Sequence, residues 1–196
     1  MTASLGQDAL DQLFREARTQ NGWRDLPVST DLLEAVWDLA KMGPTSANCS
    51  PARIVFVVST EAKERLRPCL MEANVDKTMA APATAIIGSD QKFYDRLPEL
   101  FPHTDARSWF VGNESLIKAT AFRNSTLQGA YFMLAARALG LDCGPISGFD
   151  EAAVNEVFFS GTDIEANFLC NIGYGNGEGL FPRSPRLAFD DACSVV

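Results

Sequence analysis

Histidine is almost missing from this chain, with one in 196 residues, His103. That shortage excludes a His-rich metal site, and no Cys-His zinc spacing exists, so neither a structural nor a catalytic metal is expected. The five cysteines, Cys49, Cys69, Cys143, Cys170 and Cys193, are odd in number and form no CxxC pair. They suit reduced thiols in a cytoplasm better than a disulfide framework. No run approaches the roughly 20 apolar residues of a membrane helix. The first residues, Met1 to Asp8, lack the basic start and apolar stretch of a signal peptide. Positive charge is short too: the net charge is −8 and the pI is near 4.7, which argues against nucleic acid and anionic membranes as partners. An anionic ligand therefore has to be met by a local arginine cluster.

What remains is ordinary for a soluble globular protein, 46% hydrophobic and 21% charged. The length suits one domain over residues 1–196. Apolar spacing predicts a helix over 8–19 (Leu10, Leu13, Phe14, Ala17) and another capped at Ser29 or Thr30, which Gly43-Pro44 stops. Ile54–Val58 and Ala83–Gly88 read as strands, with a helix between them running from Thr60 through Leu66 and Leu70. Residues 91–112 are irregular, a pattern that marks functional or mobile segments. A long helix follows over 114–139, apolar on more than one face and so central. After it come an extended stretch from Leu141 to Phe149, a short helix capped by Asp150, a strand from Phe168 to Tyr174 and an extended tail. Strands interleaved with helices, without clean βαβ alternation, favour an α+β sheet wrapped by helices.

Several motifs fail on inspection. Gly173-Tyr-Gly175-Asn-Gly177 leads into Phe181-Pro182-Arg183-Ser184-Pro185 rather than a helix, so it is a turn and not a dinucleotide fingerprint. Gly144-Pro-Ile-Ser147-Gly148 lacks the G-x-S-x-G spacing of a nucleophile elbow, and a hydrolase would have to pair Ser147 with His103. The segment Gly43-Pro44-Thr45-Ser46-Ala47-Asn48-Cys49-Ser50-Pro51-Ala52-Arg53 is more informative. Its hydroxyls and amide can hydrogen-bond a polar planar ring, although such residues also cap plain turns.

That segment resembles the A-P-S-S-x-N loop of the nitroreductase-like flavoproteins, keeping Pro44, Ser46 and Asn48 with Thr45 as a mild change. Three other stretches are similar to that family in the same order. Arg18-Thr19-Gln20-Asn21 resembles its phosphate-binding start, with Asn21 in place of a second basic residue. Ala135 to Phe149 resembles its helix end and P-I-x-G-F turn, and Arg183 to Arg186 sits where it places a late basic residue. The strings Arg18-Thr-x-Asn-Gly-Trp23, Gly43 to Arg53, Phe101 to Trp109 and Thr120 to Ser125 are similar to the malonic semialdehyde reductase branch, associated with pyrimidine degradation.

The resemblance implies a nitroreductase-like fold: a mostly antiparallel sheet wrapped by helices, with the long helix at a homodimer interface. It implies FMN as cofactor, NADPH or NADH as co-substrate, and ping-pong hydride transfer through flavin N5, here to malonic semialdehyde to give 3-hydroxypropionate. Arg18, Thr19, Asn21, Arg183 and Arg186 are then expected on the phosphate. Pro44, Thr45, Ser46 and Asn48 are expected on the ring and ribityl chain, and Pro145, Ile146, Ser147 and Gly148 near flavin N5 and O4. Arginine suits the phosphate because its planar fork donates two bonds at once. An aldehyde with a carboxylate asks for a cation, which Arg107 or His103 can supply beside Trp109; surface pairing of Arg107 with Asp105 or Glu99 fits as well. Arg123 and Asn124 fit either a structural or a ligand-facing role. A broad nitro- or quinone reductase of the same fold and a flavin-binding protein without turnover are the competing expectations.

Overall fold

The computed structural model describes residues 3–196. In chain order it has α1 (Gln7–Leu10), α2 (Thr30–Ala40), β1 (Ala52–Val57), α3 (Thr60–Leu66), α4 (Glu72–Ala80) and β2 (Ala83–Asp90). There follow α5 (Leu97–Leu100), α6 (Glu114–Ala138), β3 (Asp142–Ile146), α7 (Glu151–Phe158), β4 (Ile164–Gly173) and α8 (Phe189–Ala192). The strands form one sheet in the order β1-β2-β4-β3, every neighbouring pair antiparallel.

Alternation along the strands sorts the core into two layers. Ala83, Ala85 and Ile87 of β2, with Cys143, Cys170 and Ile172, face α2 and α6, where Val36, Ala40, Phe132 and Ala136 complete the layer. Val57, Ile86, Ile146 and Leu169 face the opposite way and pack with Leu66 of α3 and Val154 of α7. β2, buried from Ala83 to Ser89, is the middle of the molecule. A bulge where β2 meets β4, between Ile87 and Gly88, turns Asn167 out of register. Its amide donates to Ser125 and Thr126 of α6, both at 2.9 Å.

The N-terminal helix is shorter than its apolar spacing predicts. α1 passes into one π-helical turn, Asp11–Arg15, with no buried residue, because the chain then leaves to cover the open edge of β3. Thr19 bridges Cys143 in parallel, and the Gln20 N–H donates to the Cys143 carbonyl at 3.0 Å. Such covering removes an exposed sheet edge. Gly144 makes room for it, since a Cβ there would lie 2.7 Å from the Gln20 carbonyl oxygen.

The helix expected through Leu70 ends at Leu66, and a 3-10 turn over Arg67–Cys69 follows with a proline in its first turn. Proline has no N–H with which to continue the ladder. α4 then arises where no element was expected, its polar composition hiding its period. The long helix is nearly as predicted, but Leu127 and Tyr131 of its apolar set point outward, with Leu116 and Phe122. Inward it places Phe132, Ala135 and Ala136 together with the polar Asn124, Ser125 and Gln128.

Candidate functional site

Arg18, Thr19 and Asn21 lie in the segment that covers β3, and the tail returns over them. With Arg183 and Arg186, and with Phe181, Pro182 and Ser184, they line a cavity of about 670 Å³. Arg15 and Arg137 line it as well. The arginines also hold the walls together: Arg18 donates to the Phe181 carbonyl at 2.5 Å and Arg183 to the Ala17 carbonyl at 2.9 Å. Arg186 donates to Ser184 and Pro185 carbonyls at 2.9 and 3.2 Å. Arg15 is paired with Asp11. Among the described residues, Arg18, Arg137, Arg183 and Arg186 have no carboxylate within ion-pair distance. Four such guanidiniums around one cavity, in a chain of net charge −8, make a local field suited to an anion.

The Gly43–Arg53 loop lies elsewhere and is built differently. Ala47, Asn48 and Ser50 have φ of 49°, 50° and 39°, the left-handed region in non-glycine residues. Such conformations persist only where the surroundings over-determine them, and they cluster at ligand sites. Here the determinants are hydrogen bonds. Ser46 N–H donates to Asn124 Oδ1 and Ala52 N–H to Gln128 Oε1, both at 2.8 Å; Ser50 N–H donates to Thr45 Oγ1 at 3.1 Å. Asn48 Nδ2 donates to the Leu100 carbonyl at 2.8 Å. Arg53 donates to the Ser50 and Ala52 carbonyls and pairs with Asp90 at 2.6 Å. Inside the loop, burial pushes the Cys49 thiol up to about 11, against a smaller opposing effect of its hydrogen bond to Thr45. Ser46 stays exposed, and its hydroxyl finds no partner among the described residues.

Pro145 and Ile146 belong to β3, paired with Cys170 and Leu169 of β4, and the chain leaves the sheet at Ser147 and Gly148. The turn is held by Asn74 of α4, whose Nδ2 donates to the Gly148 carbonyl at 2.8 Å, and by Met71 N–H at 3.1 Å. A Cβ on Gly148 would lie 2.3 Å from Asn74 Nδ2, so a larger residue there would have to displace the Asn74 side chain. The N–H groups of Ser147 and Gly148 find no acceptor among the described residues.

The 91–112 segment is a series of short turns with a core of its own. Phe93, Leu97, Ala106 and Phe110 pack with Cys49 and Ala121, and Phe101 and Ala47 lie against them. Arg107 pairs with Asp95 at 2.8 Å and lies over the Tyr94 ring, rather than with Asp105 or Glu99. Asp105 caps Ser108 and Glu99 is taken by Arg96. His103 and Trp109 are exposed and meet the Phe101 ring edge-on, at centroid distances of 5.2 and 6.3 Å.

One chain thus gathers the expected phosphate residues into one cavity, and seats the Thr45–Asn48 loop beside the His103–Trp109 segment. Neither that loop nor the Ser147–Gly148 turn lines the arginine cavity. The two roles open for Asn124 resolve to a structural one, since it is 1% exposed and bonded to the loop; Arg123 is exposed. Arg137, Asn74 and Gln128 were missed. Arg137 sits in the last turn of α6, where a basic residue is commonplace, and Asn74 lay in an unrecognised helix. Gln128 carried the one usable signal, a polar residue on the inward stripe of the longest helix.

The Nitroreductase family matches residues 15–175. The chain belongs to that family. It is 63% identical to a Burkholderia lata protein over 192 residues, covering 98% of each, and 60% identical to a Stenotrophomonas maltophilia protein over the full length of both. Both relatives carry the name NADH dehydrogenase/NAD(P)H nitroreductase by assignment. Among solved structures, a nitroreductase-type protein of Exiguobacterium sibiricum in complex with FMN superposes with a TM-score of 0.86 at 23% identity, covering all of both chains. A Bacillus subtilis relative superposes with a TM-score of 0.85 at 20% identity, over 97% of this chain and 100% of that one. The fold is the nitroreductase-like α+β fold. Among the described residues no helix is long and apolar enough to cross a membrane.

Proposed function

We propose that this protein is an FMN-dependent NAD(P)H oxidoreductase that reduces malonic semialdehyde to 3-hydroxypropionate. The observation that carries the flavin reading is the cavity in which Arg18, Arg137, Arg183 and Arg186 lack carboxylate partners. A phosphomonoester brings nearly two negative charges and several strong acceptors, and guanidinium forks match them. In this reading Arg18, Thr19, Asn21, Arg183 and Arg186 hold the phosphate, while Pro44, Thr45, Ser46 and Asn48 bound the ribityl chain and ring. Pro145 and Ile146 deliver the Ser147 and Gly148 N–H groups, which suit the polar pyrimidine edge of a flavin because they have no acceptor among the described residues. FMN when bound supplies the hydride-carrying ring, reduced by NADPH or NADH and reoxidised by the acceptor.

The loop and the cavity are separate within one chain, which supports a homodimer in which each site draws on both copies. The outward Leu116, Phe122, Leu127 and Tyr131 of α6 offer the apolar surface for it. His103, Arg107 and Trp109 are the proposed contacts of the substrate carboxylate. With Arg107 held by Asp95, His103 is the basic side chain of the three not already engaged by an acid.

The assigned names of the relatives favour a second reading, a broad nitro- or quinone reductase for which Phe101 and Trp109 provide aromatic surface. An anaerobic titration separates the two. NADPH should bleach the flavin band at about 450 nm, and malonic semialdehyde should restore it faster than a nitroaromatic does. Bleaching followed by recovery only with the nitroaromatic would discard the aldehyde, and a protein that takes up no FMN would discard the flavin reading.

A further inference from the structure

The Gly43–Arg53 loop holds three non-glycine residues in left-handed backbone, a conformation that disfavours each by about 1–2 kcal/mol. Its own residues do not hold that shape alone. Two of the amides that fix it, Ser46 N–H and Ala52 N–H, are bonded from outside the loop, by Asn124 Oδ1 and Gln128 Oε1, each at 2.8 Å. Both side chains belong to α6, one helical turn apart on the same face, and they are 1% and 2% exposed. The Asn124 amide is oriented in turn by its own Nδ2, which donates to the Thr120 carbonyl at 2.8 Å. The anchors bracket all three strained residues.

Buried amides are costly unless satisfied, and a core of this kind would accept apolar residues at both positions if only packing mattered. We propose that Asn124 and Gln128 are positioning residues, an amide clamp by which α6 holds the Ser46–Ser50 loop in its binding conformation. They touch no ligand themselves and act through the loop. The outer face of the same two turns carries Phe122, Arg123 and Leu127, all exposed. The inference rests on reading the loop as the ribityl and ring contact.

The test replaces Gln128 with Met, which keeps length and loses the acceptor, and with Glu, which keeps an acceptor oxygen; Asn124→Leu is the companion. FMN and riboflavin affinities are measured by flavin fluorescence at a temperature where circular dichroism shows each variant folded. Gln128→Met and Asn124→Leu should weaken both flavins about tenfold and by equal factors, while Gln128→Glu should recover most of the loss. Unchanged affinity in folded Gln128→Met and Asn124→Leu would overturn the proposal, and so would a loss restricted to FMN. Hydrogen exchange in the unaltered protein gives a second readout that needs no variant and no flavin. The Ser46 and Ala52 amides should be protected to the level of β2, and rapid exchange at both would overturn the clamp. A wild-type protein that binds no flavin but protects these amides would remove the flavin reading and leave the clamp standing.

Discussion

The arginine cavity and the Gly43–Arg53 loop solve opposite problems. The cavity is made of charge: Arg183 and Arg186 are exposed, and the guanidiniums reach backbone carbonyls across a surface where chain start and tail meet. The loop is made of shape, with three left-handed residues fastened from beneath by buried amides and an exposed hydroxyl, Ser46, that no described residue engages. A phosphate can be met by flexible arginines because its field is long-ranged and its oxygens are equivalent. A flat ring needs fixed donors and acceptors, and those require a preorganised backbone. The two regions should therefore fail in different ways.

The largest effect is expected in the cavity. Replacing Arg18 and Arg183 together with Ala should weaken FMN at least a hundredfold, since bonds to a charged group contribute about 1.5–3 kcal/mol each. The remaining affinity should lose much of its salt dependence, which fluorescence titrations at low and high salt would detect. A salt-insensitive wild type would break the contrast. Next is Gly144→Ala, which sets a Cβ against the Gln20 carbonyl and should cost about 1–3 kcal/mol as overpacking does. Denaturant unfolding measures that cost, and FMN affinity should fall with it because Arg18 leaves the same strand. Ala47→Gly is smaller and opposite in sign. Relief of its φ of 49° should raise stability by about 0.5–1 kcal/mol, net of the added freedom of the unfolded chain. An unchanged or lower unfolding midpoint would show that the loop is not strained.

The last effect, absent at neutral pH, concerns Cys49, whose thiol is raised from 9.0 to about 11 by burial. The unfolded chain then loses its proton first, so folded-state stability should fall as pH climbs from 9 to about 11 and be level below that window. Cys49→Ala should flatten this part of the stability profile. An equal slope in both proteins would remove the claim.

Much of this architecture was legible in advance because it rests on short-range pattern. The β-branched run Ile54–Val58 and the stretch Ala83–Gly88 marked two of the strands, and the spacing after Asn113 marked α6 to within a residue. Arg18, Arg183 and Arg186 were singled out by resemblance to a family, and the fold brings them to one cavity. Other features depend on partners distant in sequence. Nothing near Arg18 announces that the chain must straighten to cover β3, and nothing near Ala47 announces a left-handed backbone. The signal for that backbone lies about 80 residues away, in two amides on the inner stripe of a helix, where the apolar count drew attention to Leu127 and Tyr131 instead. Asn74 shows the same limit: its role exists only because the Gly148 carbonyl arrives beside it.

The most direct test of the account is the ratio of FMN to riboflavin affinity, since the two ligands differ only by the phosphate. The account predicts a large preference for FMN in the wild type. That preference should collapse in the Arg18→Ala, Arg183→Ala protein and survive unchanged in Gln128→Met, whose affinities for both ligands fall together. Equal affinity for the two flavins in the wild type, or a preference that outlasts loss of both arginines, would contradict it.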